Sequence, residues 1–346
     1  MKKYSPLTQL VLARLREFFR TPEIVFWVYG FPLLMVVALG IAFRNQPVEH
    51  IAVGIENSEY GQTAADALSM NKKFEVLRCD AEGCRLKLRT GKTDIVVIAA
   101  AGPRYEYFYD PTRPESVLAR NAVDDALQRA SGRKDVAATA EKQLTEPGAR
   151  YIDFLVPGLV GMGLLGGGLW GVGFVIVDMR IRMLLKRFIA TPMKRHQFLS
   201  GIMISRFIFM VPEIVILLAF AWIFFGVRIQ GSFLSVMFFV LLGAFTFSGI
   251  GLLIASRANT IETVSGLMNL VMLPMWILSG IFFSSERFPA AAQPFIQALP
   301  LTPLIYSLRA VILEGTSLVQ LLPQAAILGA WGIVTFVLAL RWFRWV

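Results

Sequence analysis

DMRIRMLLKRFIATPMKRHQFL, residues 178–199, separates two long apolar runs, 154–177 and 202–226, and its reading decides the fold. It carries six Lys/Arg (Arg180, Arg182, Lys186, Arg187, Lys194 and Arg195) against one acid, Asp178. A turn between two membrane spans needs only a few residues. This stretch is long enough to form a helix, with Thr191-Pro192 as a break or a fresh start. The flanking runs are long enough to cross a bilayer core, which takes about 20 apolar residues in a helix. Further runs of this kind lie at 24–43, 233–255, 264–283 and 321–340, and five of the six contain no charged residue. The chain reads as a mainly α-helical polytopic membrane protein with six transmembrane helices.

Composition agrees. The 346 residues are 55% hydrophobic, with a mean hydropathy of +0.59, above the roughly 45–50% apolar content of soluble domains. The net charge of +10 invites a nucleic-acid reading, but its distribution argues against one. Residues 1–23 contribute +3 and residues 178–200 contribute +5, whereas 44–151 holds 16 charges of each sign and sums to zero. Excess Lys/Arg beside spans marks cytoplasmic flanks, and no basic domain exists to carry nucleic acid. With 1–23 and 178–200 inside, six spans place both termini in the cytoplasm, in a plasma membrane. Arg341 and Arg344 after the last span agree.

Residues 5–20 space Leu7, Leu10, Val11, Leu15, Phe18 and Phe19 as a helix would, with Arg14, Arg16 and Arg20 largely off that stripe. An interfacial helix over 1–23, in contact with membrane lipid, is expected. The region is too long and too patterned for the basic start of a signal peptide. Segment 44–151 then lies outside and reads as a small mixed α/β domain. Its strand candidates are 51–55, 74–77, 94–98 and 104–110, the last placing Tyr105, Tyr107 and Tyr109 on one face, and its helix candidates are 62–70, 82–89 and 115–130. Cys79 and Cys84, the only cysteines, fall in this segment. An outside compartment permits a disulfide between them, and two free thiols fit equally. No metal-ligand set is present, because the two cysteines and His50 lie across the membrane from His196 in this topology.

Residues 152–346 contain the other five spans. In the second, Gly163, Gly167 and Gly171 recur every four residues, a stripe that lets another helix approach closely. The third holds Arg206 and Glu213, seven residues apart. Arg206 is read as snorkelling to the cytoplasmic surface. Glu213 beside Pro212 is left with a structural hydrogen bond or a transport role. Trp170, Phe174, Met272, Met275 and Trp276, with Glu213, are candidates to line a translocation pathway; helix packing is the plainer account of each apolar one. Residues 284–320 carry Pro289, Pro294, Pro300 and Pro303 and are too apolar for a free loop, as expected of an outer re-entrant segment. Gly91-Lys92-Thr93 resembles the end of a phosphate loop, but Leu86 stands where its first glycine belongs, and no complete Walker motif is present. An enzyme is not expected.

The ordered set resembles the permease subunits of type-2 ABC exporters (the ABC-2 type transporter family). The likeness rests on the interfacial helix, the large domain after the first span, the opening YIDFLVPGL (151–159) and the basic loop ending in L-x-x-x-T-P. The close P-M-x-x-L-S-G (274–280) and the stretch LTPLIYSLR (301–309) complete it. The resemblance implies a dimer with a second copy or paralogue, separate ATP-binding cassette subunits holding ATP and Mg, and no cofactor on this chain. It also implies that the basic loop docks on the ATPase, through Arg182, Leu184, Leu185, Lys186, Arg187, Phe188, Ile189, Thr191 and Pro192. The usual pattern there is acidic; Leu184, Leu185, Lys186 and Arg187 replace its Gly-Thr-x-Glu region. The apolar pathway candidates suit a lipid-like or hydrophobic drug-like cargo. Two other function classes compete: an ATP-independent secondary transporter using Glu213, and a membrane receptor whose outside domain binds a ligand.

Overall fold

The computed structural model describes residues 5–42, 50–58, 60–100, 104–134, 150–189 and 195–342. Two compact units emerge, one of residues 1–44 with 145–346 and one of residues 45–144.

In the larger unit, six helices among the described residues are long and apolar enough to cross a membrane. They are Pro22–Ala42, Tyr151–Ile181, Ser200–Phe225, Phe233–Arg257, Ile261–Leu278 and Leu318–Trp342, called here the first to sixth spans. The chain is a polytopic helical membrane protein. The second span runs for 31 residues, or about 46 Å at 1.5 Å per residue, against a hydrocarbon core of about 30 Å. It therefore has length to spare beyond the core. Over Leu169–Phe174 its turns widen to π-type, a local rearrangement that recurs at functional positions.

The second and fourth spans form the buried centre, because glycines remove the side chains that would hold them apart. A Cβ on Gly168 would lie 2.5 Å from Phe247, and one on Gly173 2.5 Å from the Gly251 carbonyl. The fourth span is tied to the sixth by Thr246 Oγ1, which donates to Leu328 O at 2.9 Å. The first, fifth and sixth spans leave most of their apolar surface outward, as helices facing lipid or a neighbouring chain do. Before the sixth span, Ala290–Ala298 and Leu301–Glu314 meet at 90°, so residues 284–320 do not form one straight crossing.

Helix α1, Pro6–Arg20, buries Leu10, Val11 and Phe18. Its apolar stripe lies on protein rather than in lipid alone. Phe18 stacks on Phe209 of the third span with centroids 4.1 Å apart, and Gly201 gives Leu10 its space. Phe19 and Leu12 remain exposed.

The smaller unit is a four-stranded sheet, order β2-β1-β3-β4, built from β1 Ile51–Glu56, β2 Phe74–Cys79, β3 Ile95–Ala100 and β4 Arg104–Phe108. The first three strands run parallel and β4 is antiparallel to β3. From β1 the chain moves one way to β2 through α2 (Gly61–Ser69), then back across β1 to β3 through α3 (Ala81–Arg89). Right-handed crossovers in opposite directions require opposite faces. Accordingly α2 and α4 (Pro114–Ala130) pack Leu68, Val123 and Leu127 on Val53, Ile55 and Val97, whereas α3 packs Cys84 and Leu88 on Cys79 and Val96 of the other face. Cys79 and Cys84 are joined by a disulfide. Tyr107 points to the α4 side, where its hydroxyl donates to Asp124 Oδ1 at 3.1 Å. Tyr109 lies past the end of β4 and does not share that face.

Candidate functional site

The third span carries the two charges within apolar sequence, and they meet. Arg206 Nη2 donates to Glu213 Oε2 at 3.0 Å and lies 3.5 Å from the Gly163 carbonyl. Both side chains are buried. Seven residues are two turns of helix, so the pair shares one face, and the long Arg side chain spans the gap. The expectation that Arg206 snorkels to the surface is therefore corrected. In a low-dielectric interior an unpaired charge is far costlier than a paired one, and a partner two turns away outcompetes a longer path to water.

The glycine stripe has a different role from the one expected. Gly163, Gly167 and Gly171 do not admit another helix backbone at these positions; they make a trough for the ion pair. A Cβ on Gly163 would lie 2.6 Å from Glu213 Oε1, one on Gly171 3.1 Å from Arg206 Cδ, and one on Gly167 would collide with the guanidinium itself. Glycines that do let backbones meet, among them Gly158, Gly168, Gly173 and Gly251, are not distinguished by the every-fourth pattern. Beside the pair, Tyr29 of the first span donates to Phe209 O at 3.0 Å.

The basic segment continues directly from the second span. After Ile181 the backbone turns at Met183, whose φ of 59° is left-handed, and resumes as α5, Leu184–Ile189. Arg182 pairs with Asp178 at 2.9 Å. Arg180 Nη1 donates to Ala255 O at 2.8 Å and Ala258 O at 2.7 Å, carbonyls at the C-terminal end of the fourth span, where a cation is favoured. Leu185 is 1% exposed and belongs to the chain's own core, with Leu184 packed partly against it. The outward face is that of Arg182, Met183 and Arg187. The side chains of Lys186, Phe188 and Ile189, and residues 190–194 with Thr191 and Pro192, lie outside the described residues.

Three of the pathway candidates, Trp170, Phe174 and Met272, meet at the π-type stretch. Trp170 and Phe174 are 5.3 Å apart between ring centroids, and Trp170 Nε1 lies 3.1 Å from Met272 Sδ. Met272 and Met275 are buried, and Trp276 is half-buried. Within one chain they form packed core, and Glu213 stands apart from them with Arg206. The outward side of the fifth span is instead Gly266, Asn269, Leu270 and Leu273.

A family model described as ABC-2 family transporter protein matches residues 22–341. The chain belongs to the ABC-2 transporter family. Among curated relatives, the inner membrane transport permease YhhJ of Escherichia coli (strain K12) is 31% identical over 119 residues, 34% of this chain and 32% of that protein. The linearmycin resistance permease protein LnrN of Bacillus subtilis (strain 168) is 26% identical over 175 residues, 50% of this chain and 45% of the relative. The inner membrane transport permease YadH of Escherichia coli (strain K12) is 27% identical over 163 residues, 46% and 60% of the two chains. The chain thus spans about a third to three fifths of the curated relatives it matches.

This ABC-2 chain also holds a strut that sequence reasoning passed over. Arg309, the last residue of the LTPLIYSLR stretch, donates through Nε and Nη2 to Phe154 O, each at 3.2 Å, and through Nη2 to Gly280 O. Its guanidinium carbon lies 3.4 Å from the centroid of the Phe154 ring, a cation–π arrangement. One side chain thereby fastens the bent helix pair to the start of the second span and the end of the fifth. An arginine within an apolar stretch is a visible signal, but its two acceptors are backbone carbonyls, which every residue possesses.

Proposed function

We propose that the chain is the membrane-spanning subunit of an ATP-driven exporter, with both termini cytoplasmic and in a bacterial inner membrane. Two copies, or one copy and a paralogue, form the pathway, and separate ATP-binding cassette subunits supply ATP hydrolysis. The observation that carries the reading is the mounting of α5. A coupling element must be stiff and joined to the parts it moves, since a ligand shifts an equilibrium only through contacts that differ between states. Leu185 seats α5 in the core, Arg180 ties the adjoining helix end to the fourth span, and Arg182 and Arg187 face outward. A push on this segment is transmitted to the second and fourth spans rather than absorbed in a slack loop.

The second permease copy is assigned to the exposed side of the fifth span. A Cβ on Gly266 would meet nothing within 4 Å, and exposed Asn269 offers an interhelical hydrogen bond of the kind that favours association in lipid. The cargo is lipid-like or hydrophobic and drug-like, a reading supported by the name of the linearmycin resistance relative and by the apolar character of the spans. Arg206 already neutralises Glu213, which disfavours a proton-driven mechanism through that carboxylate.

The test is purification from native membranes in mild detergent, followed by transport in vesicles. An ATP-binding subunit is expected to co-purify with the wild type, and Arg182→Glu with Arg187→Glu is expected to abolish both its retention and ATP-dependent transport. Transport that persists without ATP, or a double variant that keeps its partner and its activity, refutes the assignment.

A further inference from the structure

Helices α2 and α4 cover one face of the sheet domain, but the nine-residue α3 covers only part of the other. Beyond it, Ile98 of β3 and Phe108 at the end of edge strand β4 remain partly exposed. Between α3 and β4 lies a cavity of about 540 Å³, within the range of roughly 300–1,000 Å³ usual for small-molecule sites. Its floor is apolar: Val96, Ile98, Leu88 and the Phe108 ring.

Its rim is basic. Arg85 and Arg89 stand one turn apart on α3, and Arg113 faces them from the chain after β4. Two acids also line the cavity, Glu56 and Asp110. Asp110 is committed elsewhere, accepting from Thr112 Oγ1 at 2.7 Å and from Thr112 N at 2.9 Å; these bonds hold its carboxyl below the ordinary value. Arg113 pairs with Asp94, which does not line the cavity, at 3.8 Å, and its charge also acts on Asp110. Among the described residues the side chains of Arg85 and Arg89 have neither an ion pair nor a hydrogen bond. Three guanidinium groups around an apolar floor present forked donors to an acidic head and a dry surface to its body.

We propose that this groove binds an amphipathic organic anion, a carboxylate or similar acidic head on an apolar chain. Arg85 and Arg89 hold the head, and Ile98 and Phe108 take the apolar part. The site belongs to the sheet domain and does not depend on ATP coupling in the membrane unit.

Full-length protein in phosphatidylcholine nanodiscs is irradiated with a diazirine-bearing dodecanoic acid or with the dodecylamine carrying the same diazirine, and the labelled peptides are mapped. The acid is expected to label residues 81–113 saturably, in competition with unlabelled dodecanoate, and the amine to label them far less. Arg85→Glu with Arg89→Glu is expected to lower that labelling by about tenfold, as for loss of a charge-assisted contact. Labelling of the spans reports membrane partitioning and stays constant. Both arginines are exposed, and Ile98→Trp, which fills the floor without changing charge, is expected to lower labelling as well. Equal labelling by acid and amine overturns the proposal. So does labelling that survives both variants, or a groove in the wild type that no probe enters because protein fills it.

Discussion

Replacing Glu213 with Leu leaves Arg206 charged in its glycine trough, where its remaining acceptor among the described residues is the Gly163 carbonyl at 3.5 Å. Removing one partner of a buried pair costs about 3–5 kcal/mol, whereas replacing both by apolar residues of similar size is often neutral. Glu213→Leu and Arg206→Met should each destabilise by about that amount, and the double variant by far less. The coupling energy from the four proteins should therefore be about 3 kcal/mol or more, roughly two decades in the unfolding equilibrium. The glycine trough gives an internal check. Gly167→Ala puts a methyl group where the guanidinium sits, so in the wild-type background it should approach the cost of Glu213→Leu. In the Arg206→Met background the same methyl meets a flexible thioether, and the cost should fall below about 1.5 kcal/mol. SDS-driven unfolding in mixed micelles, followed by tryptophan fluorescence, measures all six proteins. A coupling energy below about 0.5 kcal/mol, the scale of an exposed pair, would refute the reasoning, as would a Gly167→Ala cost independent of residue 206.

Two further outcomes follow from single contacts. Arg309→Lys keeps the charge but loses the fork that reaches Phe154 O and Gly280 O together. The cost should be about 1.5–3 kcal/mol per lost charge-assisted bond, read as faster proteolysis between residues 284 and 320 with little change in the sheet domain. Reducing the Cys79–Cys84 bridge, or replacing both cysteines with Ser, should destabilise the sheet domain by about 2 kcal/mol, the chain-entropy value for so short a loop. Amide exchange in α3 reports it, and protection unchanged by reductant would count against a stabilising role.

The parts legible in the sequence are those whose signal is local. Apolar runs of about 20 residues announce spans wherever they fall, because hydrocarbon tolerates no unpaired backbone. The alternation of short β-branched runs with helical stretches likewise gives the order of the sheet domain, with β1 and β3 visible as IAVGI and IVVI. What stayed hidden depends on distant neighbours. The direction of Arg206 is set by a trough 35–43 residues earlier in the chain, at Gly171, Gly167 and Gly163. The every-fourth spacing of those glycines reads the same whether it receives a helix or a guanidinium. Leu185 is one of several apolar residues in a basic segment, and nothing local says that it turns inward while Arg187 turns out.

The same distinction bears on where function resides in this ABC-2 chain. Positive charge beside a span is sufficient to anchor it on one side of the membrane, so the charge of residues 178–200 carries no information about a partner. The proposed coupling role rests on the mounting instead. Lipid anchoring requires neither a buried Leu185 nor an Arg180 bonded to two carbonyls of another span. Both are needed if the segment is to pass force into the helices. Uncoupling is thus separable from anchoring: Arg180→Met keeps enough positive charge for orientation and removes the tie to the fourth span, which is the expected signature of a transmission element.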